Sequence, residues 1–337
     1  MRFIYIGFLI CLFGSAEAQT GVLSKKDVLN KFGFQEHSII SDNDTIFFYL
    51  HRKAKAEPKN LVLYLQGTSP DPLFSIEEEN GQLNSYRWFP GDYNLLDEKY
   101  GFVVIAKTGI PAILEEGTNK NITKYQKFNS LDNRVFKADA VINYICNNLL
   151  KNLYNVIVYG HSEGAPVAAK LGTVNKRLTH LGFWAGNALP DYFDFVLFNT
   201  KALNSGKLSS NEAFKNIDQI LEGFKEIAKN PTDISYTEDD DYTNKRWWSY
   251  AEPPINHLLK IDIPIFVQVA GNDNSAPIES TFLIPLEFTR MGKTNLTFKV
   301  CTECDHGFGV EKENGEFEDK WSEIFQDFIK WTKEDTR

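Results

Sequence analysis

The sequence has no apolar run long enough to cross a bilayer, which takes about 20 residues, and even its first segment falls well short. It has no long basic run either. Against 45 Asp and Glu stand only 36 Lys and Arg, a net charge of −9, so there is no electrostatic footprint for nucleic acid or an anionic membrane, and neither is expected as a partner. Cysteine is scarce, with four in all. No internal repeat is visible, and no linker sets off a second independent domain. What is present is the composition of an ordinary folded protein. With 42% hydrophobic, 24% charged and 14% aromatic residues over 337 positions, the chain is too apolar for disorder and long enough for a sizeable core.

The one long apolar run comes first. Met1-Arg2 precedes the apolar stretch Phe3 to Phe13, and Gly14-Ser15-Ala16-Glu17-Ala18 follows, with Ala16 and Ala18 as the small residues that a signal peptidase accepts ahead of Gln19. This reads as a signal peptide over residues 1–18, with an uncleaved anchor as the alternative, and it predicts a secreted or periplasmic protein without a membrane span after cleavage. Removal of Cys11 leaves Cys146, Cys301 and Cys304, an odd count, so at least one thiol stays unpaired within the chain. The close pair Cys301 and Cys304 is read either as a tight disulfide or as two half-buried thiols. Asn43-Asp44-Thr45, Asn121-Ile122-Thr123 and Asn295-Leu296-Thr297 fit the glycosylation acceptor pattern.

In the remainder, residues 19–337, short β-rich runs alternate with helical stretches, which predicts an α/β domain with a mainly parallel sheet flanked by helices. The runs are Thr45 to His51, Leu61 to Leu65, Phe102 to Ala106, Asn155 to Tyr159, Leu181 to Trp184, Ile265 to Val269 and Leu296 to Val300. Between Asp132 and Leu150, the residues Val135, Ala138, Val141, Ile142 and Ile145 recur at spacings of three and four, as on the buried face of a helix. Trp321, Phe325, Phe328 and Ile329 repeat that pattern and predict a final covering helix. Two stretches break the alternation. Thr68 to Tyr100 is rich in Pro and aromatics and reads as irregular; residues 190–259 contain a polar helix-like stretch, the acidic cluster Glu238 to Asp241 and Trp247-Trp248-Ser249-Tyr250. Long excursions from a compact domain are often binding loops, so the second is expected to form a cap.

The chemistry centres on Gly160-His161-Ser162-Glu163-Gly164, which follows the β-rich run Asn155 to Tyr159 and precedes the helix-like Ala165 to Leu171. A sharp turn from strand to helix needs small residues around the serine, lifts its hydroxyl off the sheet edge, and sets it at a helix N-terminus that favours a developing alkoxide. A structural turn serine is the bland alternative. In this strand–Gly-x-Ser-x-Gly–helix context the sequence resembles the α/β-hydrolase superfamily over most of residues 19–337.

That resemblance implies a nucleophile, an acid and a base in this chain order. Ser162 takes the place of the nucleophile. Ala270-Gly271-Asn272-Asp273, after the run Ile265 to Val269, is similar to the family's acid loop and implies Asp273 as the acid, with a plain turn aspartate as the alternative and Asp191 and Asp194 as rivals. Asp305-His306-Gly307-Phe308 looks like the terminal histidine loop, and His306 is the histidine of six that stands in the base's place. His161 is expected to pack beneath the serine, and Asp305 is given no acid role. Two backbone N–H groups should form the oxyanion hole. One is that of Glu163, directly after the nucleophile; the other is implied at Thr68, since Gln66-Gly67-Thr68 resembles the family's His-Gly-x segment, with Gln66 in place of the usual His. The resemblance implies a carboxylic-ester hydrolase working through an acyl-enzyme, with no metal or organic cofactor and a small-molecule or polymer-linked ester as substrate. A serine peptidase with the same residues, or a catalytically silent binding protein on the same fold, are the alternatives.

Overall fold

Strands buried on both faces require near-continuous apolar runs, and residues such as Leu61 to Leu65, Phe102 to Ile105 and Ile265 to Ala270 supply them. The structure is a computed structural model and describes residues 23–41, 44–53, 57–237, 242–312 and 314–334. The expected signal peptide, Asn43 and the acidic cluster Glu238 to Asp241 lie outside the described residues. The first half comprises α1 (Lys25–Phe32), β1 (Phe34–Ser41), β2 (Asp44–His51), β3 (Asn60–Leu65), β4 (Phe74–Glu79), β5 (Gln82–Arg87), β6 (Tyr100–Ile105), β7 (Ile113–Leu114), α2 (Ile122–Phe128), α3 (Leu131–Tyr144) and β8 (Asn155–His161). There follow α4 (Gly164–Val174), β9 (His180–Trp184), α5 (Asp191–Asn204), α6 (Ser210–Lys229), α7 (Asn244–Ser249), α8 (Pro254–Leu258), β10 (Ile265–Ala270), α9 (Leu283–Arg290), β11 (Leu296–Cys301), β12 (Gly309–Glu311), β13 (Phe317–Asp319) and α10 (Trp321–Glu334).

Eight strands form the central sheet in the order β1-β2-β6-β3-β8-β9-β10-β11. From β6 to β11 every neighbouring pair runs parallel; β1 and β2 close one edge antiparallel. Side chains along a strand alternate between faces, so each buried strand feeds two cores. On one face Leu61, Leu63, Val156, Val158, Ile265 and Val267 pack under α3, α4 and α9. On the other, Val62, Tyr64, Ile157, Tyr159 and Phe266 meet the apolar side of α10, including Phe325 and Phe328. The expected α/β architecture is therefore the one observed.

Two details depart from the sequence reading, and a third decides between alternatives that it left open. The helix expected through Leu150 ends at Tyr144 and passes into a π turn over Ile145–Leu149. Within the supposedly irregular Thr68 to Tyr100, β4 and β5 form an antiparallel hairpin, which β7 extends into a separate three-stranded sheet. Asn80 and Gly81 at its tip both have positive φ, 54° and 78°. An Asn-Gly pair between two runs of six residues is a hairpin signal, because Asn and Gly tolerate the left-handed backbone that such a two-residue turn demands. Finally, Cys301 and Cys304 are joined in a disulfide, while Cys146 is free and half-buried. Among the described residues no helix is long and apolar enough to cross a membrane.

Candidate active site

The site grows from the C-terminal end of β8, the strand at the middle of the parallel run. Ser162 follows it directly, with φ 56°, in the left-handed region that side chains other than glycine seldom adopt. This backbone is pinned from both sides: the Ser162 N–H donates to Trp184 O on β9 at 3.0 Å, and Ser162 O accepts from Ala165 N in α4 at 2.9 Å. The close turn explains the two glycines. A Cβ on Gly160 would stand 1.9 Å from Gly164 O, and one on Gly164 would stand 2.0 Å from Leu65 O, so neither position has room for a side chain. A Cβ on Gly67 would lie 3.3 Å from Ser162 Cβ, which puts the loop after β3 against the serine.

The loops after β10 and β11 bring Asp273 and His306 together. Asp273 Oδ1 accepts the N–H groups of Ser275 and Ala276, both at 2.8 Å, and Oδ2 is 2.7 Å from His306 Nδ1. The carboxylate is thus oriented by its own loop, with one oxygen left for the imidazole. The two loops are stitched together by Gly271 N to Cys301 O and Asn272 N to Cys304 O, so the disulfide segment braces the acid loop against the histidine loop. Asp305 caps its own turn, accepting from Gly307 N and Gly309 N. His161 packs against His306, and its Nε2 lies 2.7 Å from His306 O. A carbonyl only accepts, so Nε2 of His161 carries the proton; burial, with the neighbouring His306 adding to it, holds that ring down at about 3 and therefore neutral. Among the described residues the Ser162 hydroxyl has no hydrogen-bond partner, and the structure joins the Asp273–His306 pair to the serine's neighbour rather than to its Oγ.

The rival carboxylates sit elsewhere. Asp191, at the start of α5, pairs with Arg246 Nη1 at 2.6 Å, and Asp194 accepts from Asn187 Nδ2 at 2.6 Å. Burial, aided by Asp191 and opposed by the Asn187 hydrogen bond, raises the Asp194 carboxyl to about 8. A carboxyl held protonated that far is ill suited to orienting an imidazole by its charge. Its folded-state pKa lies above the unfolded value of 3.8, so the protonated form adds stability that is complete below about pH 4 and lost as pH rises through about 8. Asp194→Asn, an isosteric neutral form, is expected to remove that decline. The check is unfolding free energy measured by denaturant titration from pH 4 to pH 9; a variant that declines as steeply as the wild type would contradict it.

Glu163 contributes more than a backbone. Its side chain is buried, and its carboxylate accepts from Arg134 Nη1 at 2.6 Å, from Thr68 Oγ1 at 2.8 Å and from Arg246 Nη2. Burial alone would raise this carboxyl, but Arg246, Arg134 and Lys107 outweigh it and hold the group down at about 2. Arg246 lies on α7, so the segment between β9 and β10 meets the turn at Ser162 through this contact; its guanidinium is flanked by the rings of Tyr242, Trp247 and Tyr250, 4.3 to 4.6 Å away. Neither the Glu163 N–H nor the Thr68 N–H has an acceptor among the described residues. Behind Thr68, the carbonyls of residues 66–69 are all engaged: Gln66 O by Arg134, Gly67 O and Ser69 O by Lys107, and Thr68 O by Tyr125 Oη. Burial, with Arg134 adding and Glu163 and Asp71 opposing, pushes the Lys107 ammonium down to about 7. Lys107, Arg134 and Arg246 went unmarked in the sequence, because nothing local distinguishes them from other basic residues.

The sheet order, the turn at Ser162 and the sequence of loops around it define the α/β-hydrolase fold, and solved structures match it. No protein-family model matches the chain, and no curated protein matches its sequence. Acylaminoacyl peptidase of Pyrococcus horikoshii matches with a TM-score of 0.51 at 10% identity, over 82% of this chain and 38% of that one. An esterase of Pyrococcus furiosus matches at 0.52 and 15%, over 93% and 96%, and Est1E from Butyrivibrio proteoclasticus at 0.51 and 11%, over 87% and 97%. The chain spans less than half of the peptidase's length and nearly all of each esterase's. Similarity at these identities is one of fold.

Proposed function

We propose that this protein is a serine hydrolase that cleaves carboxylic esters through an acyl-enzyme on Ser162. The observation that carries the reading is the left-handed Ser162, φ 56°, held between a central strand and a helix N-terminus, a strained conformation whose effect is to present a hydroxyl clear of the sheet. Ser162 Oγ attacks the ester carbonyl as His306 takes its proton; Asp273 holds Nδ1–H, so that the basic lone pair of the imidazole is on Nε2. The N–H groups of Glu163 and Thr68 stabilise the oxyanion, and water then releases the acid by the same proton path. Residues 190–259 act as a cap, a role supported by the contact of Arg246 with Glu163. Labelling with a fluorophosphonate, followed by mapping of the adduct and a panel of esters and peptide amides, tests the reading. Expected are an adduct on Ser162 and turnover of esters; peptide amides are included because one similar fold belongs to a peptidase, and preference for them would replace the ester reading. A folded protein that takes no label would refute both.

We further propose export, supported by the leader-like residues 1–18 and by the Cys301–Cys304 disulfide, a bond that persists in oxidising compartments. The protein recovered from outside the cytoplasm is expected to begin at Gln19. An intact-mass measurement showing Met1 retained on protein that stays in the cytoplasm would contradict this.

A further inference from the structure

A half-buried ammonium ordinarily meets a carboxylate. Lys107, two residues beyond β6, does not: among the described residues no carboxylate lies within 4.0 Å of it, and its hydrogen bonds go to Gly67 O, at 2.6 Å, and Ser69 O, both in the loop after β3. The Gly67–Thr68 peptide unit is trans, as every described peptide bond is. In a planar trans peptide the C=O and the following N–H point in opposite directions. A cation that draws Gly67 O to one side therefore turns the Thr68 N–H to the other, and that N–H has no acceptor among the described residues. Gly67 itself lies against Ser162, since a Cβ added to it would stand 3.3 Å from that of the serine. Two further ties hold Thr68 itself, one through its carbonyl in the next peptide unit and one through its side chain. Tyr125 Oη holds Thr68 O at 2.6 Å, and Thr68 Oγ1 donates to Glu163 at 2.8 Å, which links this donor to the residue carrying the other one. A positive charge on the carbonyl also polarises the peptide and strengthens its N–H as a donor.

We propose that Lys107 is a positioning residue for the oxyanion hole: by holding the Gly67 carbonyl from behind, it aims and polarises the Thr68 N–H toward the oxygen that becomes negative on a substrate attacked by Ser162. Lys107 touches no reacting atom in this scheme. The inference rests on the serine-hydrolase reading, so it is tested on the mature enzyme after the wild type has been shown to take a fluorophosphonate on Ser162. Absence of that label would remove the function and this inference together, whereas the lysine variants test the inference alone.

Lys107→Met nearly keeps the length of the side chain and removes the charge and both hydrogen bonds. Loss of one oxyanion donor costs about 10²-fold to 10³-fold in kcat, and a donor that is misaimed but still present is expected to cost about 10²-fold. KM for an ester should stay within about threefold, because the ground-state carbonyl leans little on the hole. Affinity for an aryl trifluoromethyl ketone, which forms a tetrahedral adduct with the serine, should fall by the same factor as kcat. Lys107→Gln, which keeps one neutral donor, should lie between, at about a tenfold loss in both quantities. A folded Lys107→Met or Lys107→Gln enzyme whose kcat and ketone affinity are within threefold of wild type would overturn the proposal. So would a fall in kcat without a matching fall in ketone affinity. If neither variant folds, the lysine serves the fold rather than the hole, and the proposal fails on that outcome as well.

Discussion

Ser162→Ala is expected to lower kcat by about 10⁴-fold to 10⁶-fold while leaving the fold unchanged, the range seen when a hydrolase nucleophile that acts as a unit with its base is removed. The fold should survive because the strain at position 162 belongs to the backbone. Its φ of 56° is imposed by Ser162 N to Trp184 O and Ala165 N to Ser162 O, bonds that an alanine keeps. Serine and alanine both carry a Cβ, and the cost of holding one in the left-handed region, about 1–2 kcal/mol, is present in either case. Residual turnover would come from the free N–H groups of Glu163 and Thr68 acting on bound substrate. The check combines steady-state kinetics on the best ester, fluorophosphonate labelling and denaturant unfolding. A variant with wild-type unfolding, no label and a kcat within tenfold of wild type would show that the serine is labelled without being the nucleophile.

Asp273→Asn should lower kcat by about 10⁴-fold with little change in substrate binding, by analogy with the same replacement in a serine protease triad. The local hydrogen bonds give the reason. Oδ1 of Asp273 is fixed by two backbone donors, Ser275 N and Ala276 N, and only the oxygen of an asparagine amide can take that place. Its NH₂ group must then face His306 Nδ1, now the position of Oδ2 at 2.7 Å. To accept from it, the neutral imidazole must carry its proton on Nε2, the nitrogen assigned to take the serine's proton. Asparagine at 273 therefore preserves shape and inverts the tautomer. Asp191→Asn and Asp194→Asn are expected to cost less than about tenfold, since those carboxyls are engaged with Arg246 and Asn187. Should either prove the crippling change while Asp273→Asn is mild, the acid belongs to the first turn of α5, after β9, and the assignment of Asp273 is wrong.

The layered sheet and the turn at residue 162 were readable in the chain because their causes are local. Strands buried on both faces must be nearly continuous in apolar residues, as Leu61 to Leu65 is throughout and Ile265 to Val269 is but for Gln268, and a covering helix must repeat its apolar residues at the helical period, as Trp321 to Ile329 do. Gly160 and Gly164 stand where a Cβ would collide with backbone, so the space around Ser162 is written into the residues beside it. Even the hairpin of β4 and β5 had its signal in Asn80-Gly81, obscured by the prolines and aromatics around it. The long-range partnerships carry no such mark. Glu163 meets Arg134 and Arg246 across 29 and 83 positions, and Lys107 reaches Gly67 across 40. A buried charge is tolerated only where folding brings it to an opposite charge or to carbonyl dipoles, so which basic residue serves which loop is decided by the packing of α3, α7 and the end of β6 around one turn. The sequence by itself determined where the sharp turn at Ser162 would stand; only the tertiary structure decided what surrounds it, because those neighbours are chosen by distance in space and not along the chain.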